Sequence, residues 1–253
     1  MKVNRKILDI VGLLLFIGFI VGGVFAYPIP PINITHIKNE TGLVTVATEY
    51  LNTTGGSITT MVLNATTQNL RWKAFVGNVT GTLTLDDAAG YTIFDWGESA
   101  TVSGTIFATR SPNAINWDNI NCTWWVTGDP NNRSVEEYEN DQMNHTSPVD
   151  NLTATFKQQD HSQFYVHTTL IEADSCYSIH TYINDSPQST DFEEILLYDG
   201  TNHTNGNIVY ATILEQDLYG FDNETYDFQM IVPENGAQGF KSSTPYYFYT
   251  ELV

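Results

Sequence analysis

From residue 57 onward the chain is written in short runs of β-branched and aromatic residues, each closed by Gly, Asn or Asp. "SITTMVLNATTQ" (57–68) is the first. "LRWKAFVGNVTGTLTLDDAAGYTIFDW" (70–96) sets Leu70, Trp72, Ala74 and Val76 on one face against Arg71, Lys73 and Phe75 on the other, then turns at "DDAAG" (86–90). "ATVSGTIFATR" (100–110) alternates in the same way. Further strand patterns lie at 162–171, 176–183, 193–200, 206–216, 226–236 and 244–252. Strands of about 5–8 residues spaced by turn residues predict an all-β fold, an antiparallel β-sandwich of jelly-roll or Ig-like type. The run "YYFY" (246–249) is apolar on both faces, which suits a strand covered on both sides or an edge covered by another strand. One or two short helices interrupt the pattern. Ser134 followed by Glu137 is a capping box, predicting a helix to about Met143. "LTATFK" (152–157) suits a second short helix or a strand.

The N-terminus sets the compartment. Lys2, Arg5 and Lys6 precede an uncharged apolar run from Ile10 to Tyr27. The run is longer than a usual signal core and slightly short for a spanning helix, so it fits a cleavable signal, cut after Ala26, or an uncleaved hydrophobic helix anchoring the chain. Either way the positive flank stays inside and the rest is exported to the cell surface or the extracellular space. "YPIPPIN" then reads as a stiff, extended spacer. The expected organisation is residues 1–26 as signal or anchor, 27–56 as an extended N-terminal strand and linker, and 57–253 as the sandwich domain. Within the linker, Val44, Val46, Thr48 and Tyr50 share one face of a possible strand hinged at Gly55-Gly56. Such a strand can complete its own sheet or the edge of a neighbour's.

Two features fit export. Glycosylation sequons begin at Asn33, Asn39, Asn52, Asn64, Asn78, Asn121, Asn132, Asn144, Asn151, Asn184, Asn202 and Asn223, which is 12 of the 22 asparagines. Random placement of the chain's Ser and Thr would give about four, so the excess points to a glycoprotein. Pro187 directly after Ser186 makes Asn184 a weak acceptor. Cys122 and Cys176 are the only two cysteines, and in an exported chain they pair as one disulfide.

Charge narrows the partners. Ten Lys and Arg face 29 Asp and Glu, a net charge of −19. This surface repels nucleic acid and anionic headgroups, so neither is an expected partner, and any membrane contact runs through the N-terminal segment. No metal centre is expected. The six histidines form no His-Glu-x-x-His pattern, and His161 and His167 share at most a strand face. Calcium is the one cofactor with any signal: "DPNNRSVEEYEND" (129–141) opens with Asp-x-Asn spacing, and Asp86-Asp87, Glu193-Glu194 and 217–227 are oxygen-rich, but the Gly and Glu of an EF-hand loop are missing. Glu193, Glu194 and Glu215 are available as a glycosidase pair, yet among 29 acids their presence discriminates nothing. Neither a Gly-x-Ser-x-Gly elbow nor a phosphate loop occurs, and the expectation is a non-enzyme.

The stretch Trp72 to Val79 ("WKAFVGNV"), the strand end Phe94 to Trp96, the cysteine pair and the aromatic C-terminal strand resemble a group of exported, β-rich archaeal surface proteins of uncharacterised function. The likeness covers most of residues 55–253 and lies in framework positions. In style the chain is also similar to subunits of archaeal surface filaments, which are glycosylated, β-rich and joined by a donated N-terminal strand. It lacks the Lys-Gly or Lys-Ala cleavage site of archaeal type IV pilins. The resemblance implies a structural subunit of a filament or coat, with other copies of itself or other surface proteins as partners. The competing expectation is a carbohydrate-binding adhesin using Trp72, Trp96, Trp117, Trp124 or Trp125 as platforms; a secreted glycoside hydrolase ranks below both.

Overall fold

The computed structural model describes residues 28–31, 34–40, 58–67, 71–86, 92–99, 103–123, 134–147, 149–201, 205–235 and 244–252, with backbone only at 35–40, 58–60, 62, 64–67, 81–86 and 92–99. The chain order is β1 (Ile34–Glu40), β2 (Ile58–Thr67), β3 (Trp72–Asp86), β4 (Thr92–Ser99), β5 (Gly104–Thr109), a 3-10 turn (Trp117–Asn119) and β6 (Asn121–Cys122). Helices α1 (Val135–Gln142) and α2 (Leu152–Thr155) follow. The remaining strands are β7 (Phe164–Val166), β8 (Thr169–Ile171), β9 (Ser178–His180), β10 (Glu193–Tyr198), β11 (Ile208–Ile213), β12 (Leu218–Tyr219), β13 (Thr225–Tyr226), β14 (Phe228–Pro233) and β15 (Tyr247–Leu252).

The strands make two main sheets. The first runs β1-β2-β3-β14, and β4 continues beyond β14 along the second half of β3. The second runs β15-β5-β11-β10, with β6 and β9 sharing the far side of β10. All pairings are antiparallel except β1 with β2. Two hairpins, β7–β8 and β12–β13, stand apart from the sheets.

Alternation explains the packing. Phe75, Val79, Phe228, Met230 and Val232 of the first sheet share one apolar cluster with Ile106, Ala108, Leu196, Tyr198, Ile208, Tyr210 and Phe248 of the second. The intervening residues of the second sheet (Phe107, Ile195, Leu197, Val209 and Ala211) face the other way into a second cluster. That cluster is closed by Ile115, Trp117, Ile120, Phe164, Val166, Ile171 and Cys176. The second sheet is therefore buried on both faces, which is why "EILLY" and "IVYATI" read as unbroken apolar runs rather than alternating ones. "YYFY" follows the same logic: Phe248 enters the first cluster and Tyr249 packs on the second.

The N-terminal segment meets the edges of both sheets. Ile29 exchanges two backbone hydrogen bonds with Thr250 on β15 (3.0 and 2.7 Å), and β1 then pairs with β2. Pro28 and Pro31 flank the contact and are buried. Within the segment 27–56, Ile34–Glu40 is a strand and Ile29 makes an isolated bridge. Val44, Val46, Thr48 and Tyr50 lie outside the described residues, as do the N-terminal hydrophobic segment and Ala26. Among the described residues no helix is long and apolar enough to cross a membrane.

Helix α1 has the capping box that its sequence predicts. The Ser134 side chain accepts the Glu137 N–H at 3.1 Å, and the Glu137 carboxylate accepts the Ser134 N–H at 3.3 Å. "LTATFK" resolves as helix, capped by Asn151, whose carboxamide oxygen accepts the Ala154 N–H at 2.7 Å. The single strand expected over 162–171 is instead the hairpin β7–β8, because His167 takes a left-handed φ of 52° and reverses the chain. Gly104 opens β5 at φ 150°, and a Cβ there would meet the Glu251 carbonyl oxygen at 2.0 Å, so only glycine fits.

Candidate functional site

A solvent-open, mainly apolar cavity of about 250 Å³ lies against β3 and β14. Its floor is made by the cross-strand pairs Ala74–Ile231 and Val76–Gln229. Trp72 closes one end, where its indole N–H donates to Asp150 at 2.9 Å. The side walls are the chain from Ile179 to Asp185 and the β12–β13 hairpin at Phe221. Gln229, 2% exposed, ties these walls together. Its amide nitrogen donates to the Tyr182 carbonyl (3.0 Å) and the Thr181 hydroxyl (3.2 Å), while its amide oxygen accepts the Phe221 N–H at 2.9 Å. The bonds to Thr181 and Tyr182, and that of Trp72 to Asp150, join residues far apart in sequence, so the cavity exists only in the folded chain.

The two wall turns also join directly. The N–H groups of Asn184 and Asp185 donate to the carbonyls of Gly220 and Phe221, both at 2.9 Å. Phe221 stacks on Tyr226 at 6.3 Å, and the Tyr226 hydroxyl donates to Asp222 at 2.9 Å. Tyr182 stands 53% exposed at the rim. Aromatic walls with carboxylates and amides at the mouth suit a small ligand that has both apolar faces and hydroxyls. His180 also lines the cavity but is 5% exposed, so its ring is wall rather than a presented base.

A second cavity, about 220 Å³, lies between β5 and α1 and is lined by Arg110, Tyr138, Tyr198 and Asn207. Arg110 is already engaged, forking onto Glu139 at 2.5 and 2.6 Å and bonding Gln142. That hydrogen bond to Glu139 holds the Arg110 pKa above its ordinary value. Burial and the nearby Asp199 push the Tyr198 phenol up to about 12.

The candidate catalytic carboxylates are each engaged by a different partner. The Glu193 side chain accepts the backbone N–H and hydroxyl of Ser162 at 2.6 and 3.0 Å. Glu194, its neighbour on β10, points into the space between the sheets and is 0% exposed. Glu215 accepts the Phe192 N–H at 3.3 Å, and burial raises its pKa. Among the described residues no three His, Cys, Asp or Glu side chains form a group that could hold a metal ion. His161 and His167 do not share a strand face. His161 precedes β7 and accepts the N–H groups of Ser175 and Cys176 on Nε2 (3.2 and 3.0 Å), while His167 sits in the hairpin turn.

Cys122 and Cys176 are disulfide-bonded, with Cα atoms 4.9 Å apart. The bridge ties β6 to the loop before β9, and Trp117 shares its cluster. Trp124 and Trp125 lie outside the described residues. The sequon asparagines separate by environment. Asn121, Asn144, Asn184 and Asn223 are exposed, and Asn78 and Asn151 are half-buried. Asn39 and Asn64 sit on β1 and β2, while Asn33, Asn52, Asn132 and Asn202 lie outside the described residues.

The β12–β13 hairpin, the buried Gln229 and the cavity they frame carry almost no signal in the sequence. The only local hint is the turn-rich "GFDNE" (220–224) between two-residue strands. Comparison of the chain with family models, with curated proteins and with solved structures finds no match to any of them.

Proposed function

We propose that this chain is a non-catalytic structural glycoprotein of the cell surface, a subunit of an extracellular filament or coat that assembles through β-strand contacts. Its two facing sheets fit a β-sandwich, preceded in the full chain by the hydrophobic export segment. The observation that carries the reading is the arm. Ile29 and β1 (Ile34–Glu40) add a strand contact to the outer edge of each sheet, at Thr250 on one and along β2 on the other. An arm that completes two edges within one chain can complete the same edges on a neighbour by the same hydrogen bonds, at little net cost. The disulfide supports an oxidising compartment.

The test is a cross-link across that contact. Ile29→Cys and Thr250→Cys together place two thiols on an antiparallel hydrogen-bonded pair. If subunits exchange arms, oxidation of the concentrated, secreted protein gives a ladder of covalent oligomers, and electron microscopy shows fibres or sheets. Intramolecular cross-links alone, with a monomer at every concentration, would sink the proposal.

A further inference from the structure

We infer that Asn223 carries an N-linked glycan whose first sugar ring is seated on Phe221, beside the cavity that Phe221 and Tyr182 line. This rests on the glycoprotein reading above and goes on to name the site and its contact.

The sequons differ in what their acceptor groups already do. The Asn121 carboxamide donates to the Asn119 carbonyl at 3.1 Å, and its partner Thr123 is buried. The Asn144 carboxamide donates to Asn235 at 2.9 Å, and His145 behind it is buried. Asn151 caps α2 while Leu152, in the middle of its sequon, is 1% exposed. Asn78 lies within β3, opposite Val62 of β2, and is half-buried. By contrast Asn223, Glu224 and Thr225 are all exposed, and no hydrogen bond engages the Asn223 carboxamide among the described residues. Asn184, Asp185 and Ser186 are exposed too, but Pro187 follows and restricts Ser186.

The local fold presents Asn223. Phe221 to Asn223 form a three-residue hairpin loop closed by Gly220 and Glu224. The Asn223 N–H donates to the Gly220 carbonyl at 3.2 Å, and the Gly220 N–H donates to the Glu224 carbonyl at 2.7 Å. Asn223 occupies the left-handed position of that loop at φ 66°, a conformation that asparagine tolerates. Its side chain stands at the tip of a hairpin held by only two residue pairs.

The neighbouring surface suits a sugar. Phe221, two residues before Asn223, is half-buried, stacked on Tyr226 and part of the cavity wall. Tyr182 is the exposed ring opposite. The C–H face of a pyranose packs on such rings, while Asp185 and Thr181 offer partners for its hydroxyls.

The attachment balances with one co-reactant, a polyprenyl-phosphate-linked oligosaccharide. The carboxamide nitrogen of Asn223 bonds to the anomeric carbon of the first sugar. The bond from that carbon to the phosphate oxygen breaks, its electron pair leaves on the lipid phosphate, and the amide gives up one proton to solvent.

The experiment compares the full secreted chain made with and without N-glycosylation, reading glycopeptides by mass spectrometry and melting temperature by scanning. Expected results are a sugar on Asn223 and a gain in Tm of about 3 °C from glycosylation. Thr225→Ala removes that gain with other sequons still occupied, and Thr225→Ser keeps it. Phe221→Leu leaves Asn223 occupied but loses the gain. A bare Asn223 beside occupied sequons overturns this inference and leaves the glycoprotein reading standing. An undiminished gain in Phe221→Leu overturns the ring contact. Sequons bare throughout overturn the glycoprotein reading and this inference with it.

Discussion

The Glu194 carboxyl accepts the backbone N–H of Ile231 at 2.8 Å, from the second sheet to the edge strand of the first. Its cross-strand partner Thr212 donates its hydroxyl to the Gln229 carbonyl at 3.0 Å. Gln229 and Ile231 are alternate residues on β14, so both groups lie on the side away from β3. Two side chains thus meet two backbone groups of this edge that a further strand would otherwise meet.

Burial raises the Glu194 pKa well above the usual carboxylate value. The folded state therefore holds a proton that the unfolded chain has released. Its contribution is fully present below the ordinary carboxylate range and is lost as pH rises from there through the raised folded value. The slope is about 1.4 kcal/mol per pH unit for one proton. Burial also raises Glu136, Glu215, Asp227 and Glu251, so the slopes add. Denaturation of the wild type across pH 4–8 should show stability falling with pH, and Glu194→Gln, which keeps the acceptor and cannot ionise, should flatten that fall. An unchanged slope in the variant would show that Glu194 is not the group responsible.

Thr212→Val is nearly isosteric but leaves the Gln229 carbonyl without its donor in a buried place. The expected cost is about 1–3 kcal/mol in urea denaturation. Tyr210→Phe is the opposite case. The Tyr210 hydroxyl is buried with no hydrogen-bond partner among the described residues, so its removal should be neutral or stabilising. A Tyr210→Phe variant that loses as much as Thr212→Val would reveal a hidden partner.

Ser134 is 0% exposed and holds one arm of the α1 capping box. Ser134→Ala should cost about 1 kcal/mol, and Ser134→Thr much less. Equal losses in the two variants would place the cost in packing rather than in the cap.

These features differ in how visible they are in the sequence. The capping box shows because it is local: two residues three apart satisfy each other. The strands of the second sheet show because both faces are apolar. The split at His167 does not show, because nothing in "FYVHTTLI" but a tolerated left-handed residue marks the turn. The cavity is less visible still. Trp72, Asp150, Tyr182, Phe221 and Gln229 come from five separate segments, and each alone reads as core or turn. The arm is half visible: Pro-rich spacing predicts extended chain, but the edge it meets, at Thr250, is set by the far end of the sequence.

The disulfide and His161 hold the same loop. The bridge closes a separation of 54 residues, worth roughly 4 kcal/mol in the loop-entropy model. His161 donates from Nδ1 to the Ser162 carbonyl at 2.8 Å, which leaves Nε2 as the acceptor for the N–H groups of Ser175 and Cys176. The Asp174 carboxylate accepts the backbone N–H of His161 at 3.1 Å. His161→Ala strands two backbone donors and should cost about 2 kcal/mol. Replacing both cysteines by serine should cost about 2–5 kcal/mol. The two losses should not add. Without the bridge the 172–176 loop is free to turn its N–H groups to water, so His161 has less to hold and its deletion costs less. A double-mutant cycle by chemical denaturation measures the coupling, and full additivity would mean that the imidazole and the bridge constrain the loop independently.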